Sequence, residues 1–243
     1  MNLLRILLVG LAVFNSFPGW CEDGQSSAID ENRKSAQILT DGTRLLQSGK
    51  PNEAIEYFDK IIVSYEERFK DDKTQIFCTR SPVESLLYLR EFANAKTGSA
   101  EGRAKVVSAD WAYAYYFRAY ALLEIGRLSE AKSSLERALA LSPRNSQFLA
   151  ELAYIYQGEK NWPLALQTFQ LAEAAAKDVS PPNVKNKDLS RAWRGMGYVL
   201  IEQNRLDEAE KMYRQSLELD KNDSKALKEL QYIQNLKANQ EAR

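Results

Sequence analysis

The chain has 243 residues, 33 basic and 33 acidic side chains and no histidine. A balanced charge offers no electrostatic pull toward nucleic acid or an anionic membrane. The missing histidine excludes His-based triads, HExxH metal sites and the commonest general base.

Residues 1–21, MNLLRILLVGLAVFNSFPGWC, carry Arg5 and then an apolar run from Ile6 to Phe14. That run is too short to span a bilayer comfortably. A positive start, a short apolar core and a helix-ending SFPG before CEDG read as a signal peptide cut after Cys21. Lipidation at Cys21 is the rival reading, opposed by Trp20 where a small residue is expected. Cleavage removes only Arg5 among the charges, leaving 32 basic against 33 acidic residues, and leaves Cys78 as the sole cysteine. No intramolecular disulfide is then possible, and with no histidine or CxxC partner beside it Cys78 reads as a buried or spectator thiol.

Residues 22–34 read as a flexible lead-in to a helical domain over 35–243. Its most informative feature is self-similarity: EIGRLSEAKSSLERALALSPRN at 124–145 returns as EQNRLDEAEKMYRQSLELDKND at 202–223. A helical unit copied along a chain cannot bury its apolar face alone and stacks on its neighbours as a solenoid. The small residue at the centre of each copy falls at Ala54, Ala131, Ala165 and Ala209. From Ala131 the intervals are 34 and 44 residues, and the ten surplus residues match SPPNVKNKDL at 180–189, which reads as a loop.

Ala54 precedes Ala131 by 77 residues, nine more than two periods of 34. This spacing predicts a degenerate unit over about 78–111. Its first helix starts at a capping box of Ser81, Pro82 and Glu84 and stops at TGSAEG; a short second helix follows through RAKVVSAD. The other units are 35–68, 112–145, 146–179 and 190–223. Beyond them Ala226, Leu227, Leu230, Ile233 and Leu236 form one stripe, as expected of a capping helix over 224–243.

A 34-residue helix-turn-helix with alanine at its twentieth position resembles the tetratricopeptide repeat. The unit at 190–223 carries the pattern most plainly, with Trp193, Gly197, Leu200, Leu206, Ala209 and Tyr213. The unit at 146–179 has Leu149, Leu152, Ala153, Tyr156, Trp162, Ala165, Phe169 and Ala172, and the unit at 112–145 has Gly126, Leu128, Ala131, Leu135, Ala138 and Pro143. Lys160 and Asn204 stand where a turn glycine is usual, and Asp41 where an apolar residue is usual. The resemblance implies an all-α, right-handed solenoid of stacked antiparallel helix pairs. Small residues at the eighth position, Gly42, Ala119, Ala153 and Gly197, let paired helices approach.

Catalytic motifs are missing: there is no GxxxxGK[ST] loop, GxSxG elbow or spaced cysteine cluster. GMG at 195–197 lies inside a helix as packing glycines. Glu130, Asp207 and Glu208 sit at helix starts, where the dipole favours acids. The expectation is therefore a non-enzymatic protein without cofactor or metal.

What remains is a surface. Tyr113, Tyr116 and Tyr120 share a helix face, and the ninth position repeats as Tyr120, Tyr154 and Tyr198. First helices line the concave side of a tetratricopeptide array, so the resemblance implies a ladder of tyrosines along the groove. Tyrosine suits recognition of a peptide or a partner's helix, although aromatic residues at this spacing also serve as core. Arg191 and Arg194 are placed to clamp a carboxylate, with Arg194 and Glu202 helping to set orientation.

The expected function is an exported adaptor whose groove docks a protein or peptide partner, in the periplasm of a bacterial envelope, a setting implied by the resemblance. Nucleic acid is not expected, and the membrane only if the N-terminus is retained or lipidated. The alternative is a tethered structural factor acting by self-association.

Overall fold

A computed structural model describes residues 22–95 and 102–241. The expected signal peptide, with Cys21, and all but the last residue of the TGSAEG stop lie outside them. No helix among the described residues is long and apolar enough to cross a membrane.

Eight helices form four antiparallel pairs: α1 (Glu22–Gln47) with α2 (Pro51–Arg68), α4 (Asp110–Glu124) with α5 (Leu128–Leu141), α6 (Ser146–Gly158) with α7 (Trp162–Val179), and α8 (Pro182–Glu202) with α9 (Leu206–Leu219). The last helix, α10 (Ser224–Glu241), covers α9 by burying Ala226 and Ile233, as expected of a cap. The fold is an all-helical repeat solenoid to which two short strands are added.

Ala54, Ala131, Ala165 and Ala209 are all fully buried, as are Ala119 and Ala153. The helical glycines leave even less room. A Cβ on Gly195 would lie 2.2 Å from the Phe169 ring, and one on Gly197 would lie 2.6 Å from Tyr213. The GMG segment is thus a packing device between α8 and the second helices on either side of it.

The turn inside every pair holds one residue at positive φ: Gly49 (72°), Gly126 (76°), Lys160 (56°) and Asn204 (57°). A side chain there costs about 1–2 kcal/mol, less for asparagine. Allowing for glycine's larger loss of chain entropy, Lys160→Gly is expected to stabilise the protein by roughly 0.5–1 kcal/mol and Asn204→Gly by less. Thermal melts of the two variants check this ordering.

Three expectations need correction. Residues 22–34 do not stand apart from the helical domain, because α1 begins at Glu22 and runs on to Gln47. The segment at 180–189 is not a loop, because α8 starts at Pro182 and runs through it. Pro182 is compatible with a helix start, where its missing N–H would have no partner anyway, and the result is an extended first helix for the last pair.

The third correction is the largest. RAKVVSAD is not helical: Ala104–Ser108 is strand β2, paired in parallel with strand β1 (Gln75–Thr79) in the register Gln75↔Ala104 to Thr79↔Ser108. Helix α3 (Pro82–Ala95) precedes β2, making a β–α–β insertion in place of a fifth repeat. Phe77 of β1 packs on Tyr88 and Phe92 of α3, with ring centroids 5.3 and 6.2 Å apart. The expected capping box forms with a shift of one residue. Ser81 Oγ accepts the Glu84 N–H at 3.2 Å, while Glu84 reaches back to the Arg80 N–H at 2.7 Å.

The insertion stands outside the stack, since α2 packs directly on α4. Phe58 stacks on Phe117 at 5.8 Å, and Trp111 stacks on Tyr65 at 5.4 Å and on Phe69 at 5.8 Å. Cys78 lies at the join between insertion and solenoid, fully buried, and burial pushes its thiol up to about 12. Its carbonyl accepts a short hydrogen bond from the buried Ser142 hydroxyl at the end of α5. An inert thiol is what that environment dictates.

Candidate functional site: a tyrosine ladder closed at one end

The ladder exists, but its exposure changes along the solenoid. Tyr120 on α4 and Tyr154 on α6 are partly buried, whereas Tyr198 on α8 is 39% exposed. A fourth rung was not anticipated from sequence. Tyr232 on α10 follows Tyr198 by one period of 34 and is 49% exposed. The spacing was there to be read, but the stripe of Ala226, Ile233 and Leu236 draws attention to the cap's other face.

At the closed end the rungs belong to a buried polar network. Tyr116 is 1% exposed, stacks on Phe148 at 4.8 Å and accepts a hydrogen bond from Gln147 Nε2 at 2.7 Å. Tyr120 donates to Glu151 Oε1 at 2.7 Å, and Arg191 Nη1 lies 3.4 Å from the same oxygen. Both Glu151 and Arg191 are buried. Burial pushes the Glu151 carboxyl up, partly offset by Arg191 and by the Tyr120 hydroxyl. Burial opposes the charge on Arg191, but Tyr116, Glu151, Tyr120 and Tyr154 around it prevail and hold its pKa above the usual arginine value. Tyr154 packs edge-on against Phe169 at 5.0 Å, its hydroxyl 3.5 Å from the Arg191 carbonyl.

The insertion extends this network. Arg80 and Glu84 are paired at 3.2 Å with side chains 8% and 0% exposed, and Arg80 also reaches Asp188 of α8 at 3.9 Å. Asp188 is in turn bonded by the Ser180 hydroxyl at 2.6 Å. The Tyr88 hydroxyl donates to Glu84 at 2.8 Å and accepts the Arg144 N–H at 3.0 Å. Tyr113 stacks on Phe117 at 5.8 Å, and burial raises the pKa of its hydroxyl, opposed by the charge of Arg80. The insertion thereby ties α8 to the turn between α5 and α6.

These contacts correct the expected open face. Tyr113, Tyr116 and Arg191 are structural groups turned inward, and Arg191 Nη1 is held by its ion pair with Glu151 without a hydrogen bond of its own. Arg194 is likewise committed, to Asp223 at 2.6 Å with Ser216 Oγ at 3.5 Å. Neither arginine is free to clamp a partner's carboxylate. Of the eight residues singled out from sequence, Tyr198 and Glu202 alone are exposed.

Around Tyr198 the open end is aromatic and acidic. The Trp162 ring, from the start of α7, has its centroid 6.5 Å from that of Tyr198. Burial raises the Tyr198 pKa first, followed by Glu202, Glu229 and Tyr232 close to its hydroxyl. Among the described residues no cluster of acidic or cysteine side chains could hold a metal ion.

Stacked antiparallel helix pairs with small residues at their crossings and a left-handed residue in each turn define the class of helical-repeat scaffolds. Models of the tetratricopeptide repeat match residues 112–145 and 146–222. The chain thus carries tetratricopeptide repeats over residues 112–222. Among solved structures the chain is similar to pilF of Pseudomonas aeruginosa, at 16% identity over 86% of this chain and 72% of that one, with a TM-score of 0.58. It is also similar to MamA of Desulfovibrio magneticus RS-1 from residue 41 to its end, at 16% identity over 86% and 88% of the two chains, with a TM-score of 0.51. At that identity the likeness is one of fold. No curated protein matches the chain significantly in sequence.

Proposed function

We propose that the protein is a non-enzymatic adaptor that docks a protein or peptide partner on the open end of its tyrosine ladder. The supporting observation is the gradient along the ladder. Tyr120 and Tyr154 are committed to internal partners, while Tyr198 and Tyr232 present rings to solvent one repeat apart. Such rings bury large area on binding at little rotamer cost. The preformed solenoid keeps the ordering cost low, and the buried network behind the ladder holds it in shape.

The proposal includes export to a bacterial envelope, with the periplasm as the site of action, and rests there on the composition of residues 1–21. The mass of the mature N-terminus tests it: a chain starting at Glu22 supports cleavage, and a retained or lipidated Cys21 shifts the reading to a tethered factor.

The adaptor reading is tested by cross-linking in the native cell followed by capture, comparing the intact protein with a Tyr198→Ala/Tyr232→Ala variant. Both residues are exposed, so the variant is expected to melt within a few degrees of the parent. The expected result is loss of a cross-linked partner in the variant alone. Full retention of every partner overturns the reading.

A further inference from the structure

Two carboxylates at the open end are left without an ion pair. Arg191 is committed to Glu151 and Arg194 to Asp223. Glu202 is exposed on α8, one helical turn beyond Tyr198, and Glu229 is partly buried on α10, one turn before Tyr232. Among the described residues neither carboxylate has an ion-pair partner, and the nearby lysines of α10, Lys225 and Lys228, pair with neither. Partial burial pushes the Glu229 carboxyl up, and the carboxylate bears on both Tyr198 and the buried Tyr213. A desolvated carboxylate without a counter-ion is unfavourable, and a cation brought by a partner relieves it.

The aromatic groups favour the same occupant. Tyr198 lies beside both carboxylates and Tyr232, with the Trp162 ring 6.5 Å from its own, and the faces of indole and phenol attract ammonium and guanidinium groups. An acidic segment would instead meet Glu202 and Glu229, with Arg191 and Arg194 already engaged inside the solenoid.

Resting on the adaptor reading, we infer that the patch formed by Trp162, Tyr198, Glu202, Glu229 and Tyr232 receives a lysine or arginine side chain from a basic segment of the partner protein. The cation seats against the aromatic faces, with the two carboxylates supplying the opposing charge.

The probe is a fluorescein-labelled decapeptide of alternating lysine and alanine, with a glutamate–alanine decapeptide as its counterpart, read by fluorescence anisotropy at about 0.15 M salt. The lysine peptide is expected to bind at least tenfold more tightly than the glutamate peptide. A Glu202→Gln/Glu229→Gln variant, matched in shape and checked for an unchanged circular-dichroism melt, is expected to lose at least tenfold for the lysine peptide. Tyr198→Ala should weaken it as well. Equal binding of both peptides, no binding of the lysine peptide, or unchanged affinity in the glutamine variant overturns the inference.

The cellular cross-linking experiment separates this from the adaptor reading. If the tyrosine variant loses its partner and the glutamine variant keeps it, the adaptor stands and the cation inference falls. If neither variant loses a partner, both readings fall.

Discussion

Replacing Arg191 with leucine is expected to destabilise the protein by about 3–5 kcal/mol, because it strands a buried carboxylate. Arg191 is the cation beside Glu151, and both are at most 9% exposed. In the variant only the Tyr120 hydroxyl remains on Glu151. The loss has a pH signature. Burial already raises the Glu151 carboxyl in the native protein, and losing the arginine raises it further. The folded variant then binds a proton that the unfolded chain, with its carboxyl near the ordinary value of about 4.3, releases. Stability therefore falls as pH rises between those two values. Urea melts should show the full deficit near neutral pH and a smaller one on acidification toward about pH 5. A deficit under about 1 kcal/mol, or one that does not change with pH, contradicts a buried ion pair at this position.

The second large effect is expected at Glu84, where substitution should undock the insertion without melting the solenoid. Glu84 is fully buried and accepts from the Arg80 backbone N–H at 2.7 Å, from the Arg80 guanidinium through both oxygens at 3.2 Å, and from the Tyr88 hydroxyl at 2.8 Å. Glu84→Ala leaves Arg80 buried with only the longer contact to Asp188 and frees the hydroxyl that holds the Arg144 N–H. The local cost is about 3–5 kcal/mol, as for other broken buried pairs. Because α2 packs on α4 without the insertion, the helix pairs have their own reason to stay stacked. Hydrogen exchange should show lost protection in β1, α3 and β2 with little change in α6 to α9, and protease should cut first between residues 69 and 111. Uniform loss across the chain would mean that insertion and solenoid fold as one unit.

The repeat units from 112 onward were legible because each position's burial follows from a local period. Ala131, Ala165 and Ala209 had to be small wherever two helices cross, and they are fully buried. The same logic located the glycine pair at 195 and 197 and the capping stripe through Ala226 and Ile233. Period arithmetic failed between Ala54 and Ala131, where a gap close to two repeats suggested a hidden unit. Gln75–Thr79 and Ala104–Ser108 are five-residue runs rich in β-branched and aromatic residues, and each is too short to declare itself without its distant parallel partner.

The candidate site divides along the same line. The sequence by itself determined a helical-repeat scaffold, its turns and a ladder of tyrosines at the ninth position, because these depend on residues a few places apart. Only the tertiary structure decided which rungs are open and what charge lies beside them. Glu151 and Arg191 are 40 positions apart, and Arg80 and Asp188 are 108 apart. Nothing in either neighbourhood announces the pairing. Once the solenoid and its insertion bring them together, arginines that look available to a partner are neutralised from within, and the aromatic–acidic patch around Tyr198 and Tyr232 is what remains to meet one.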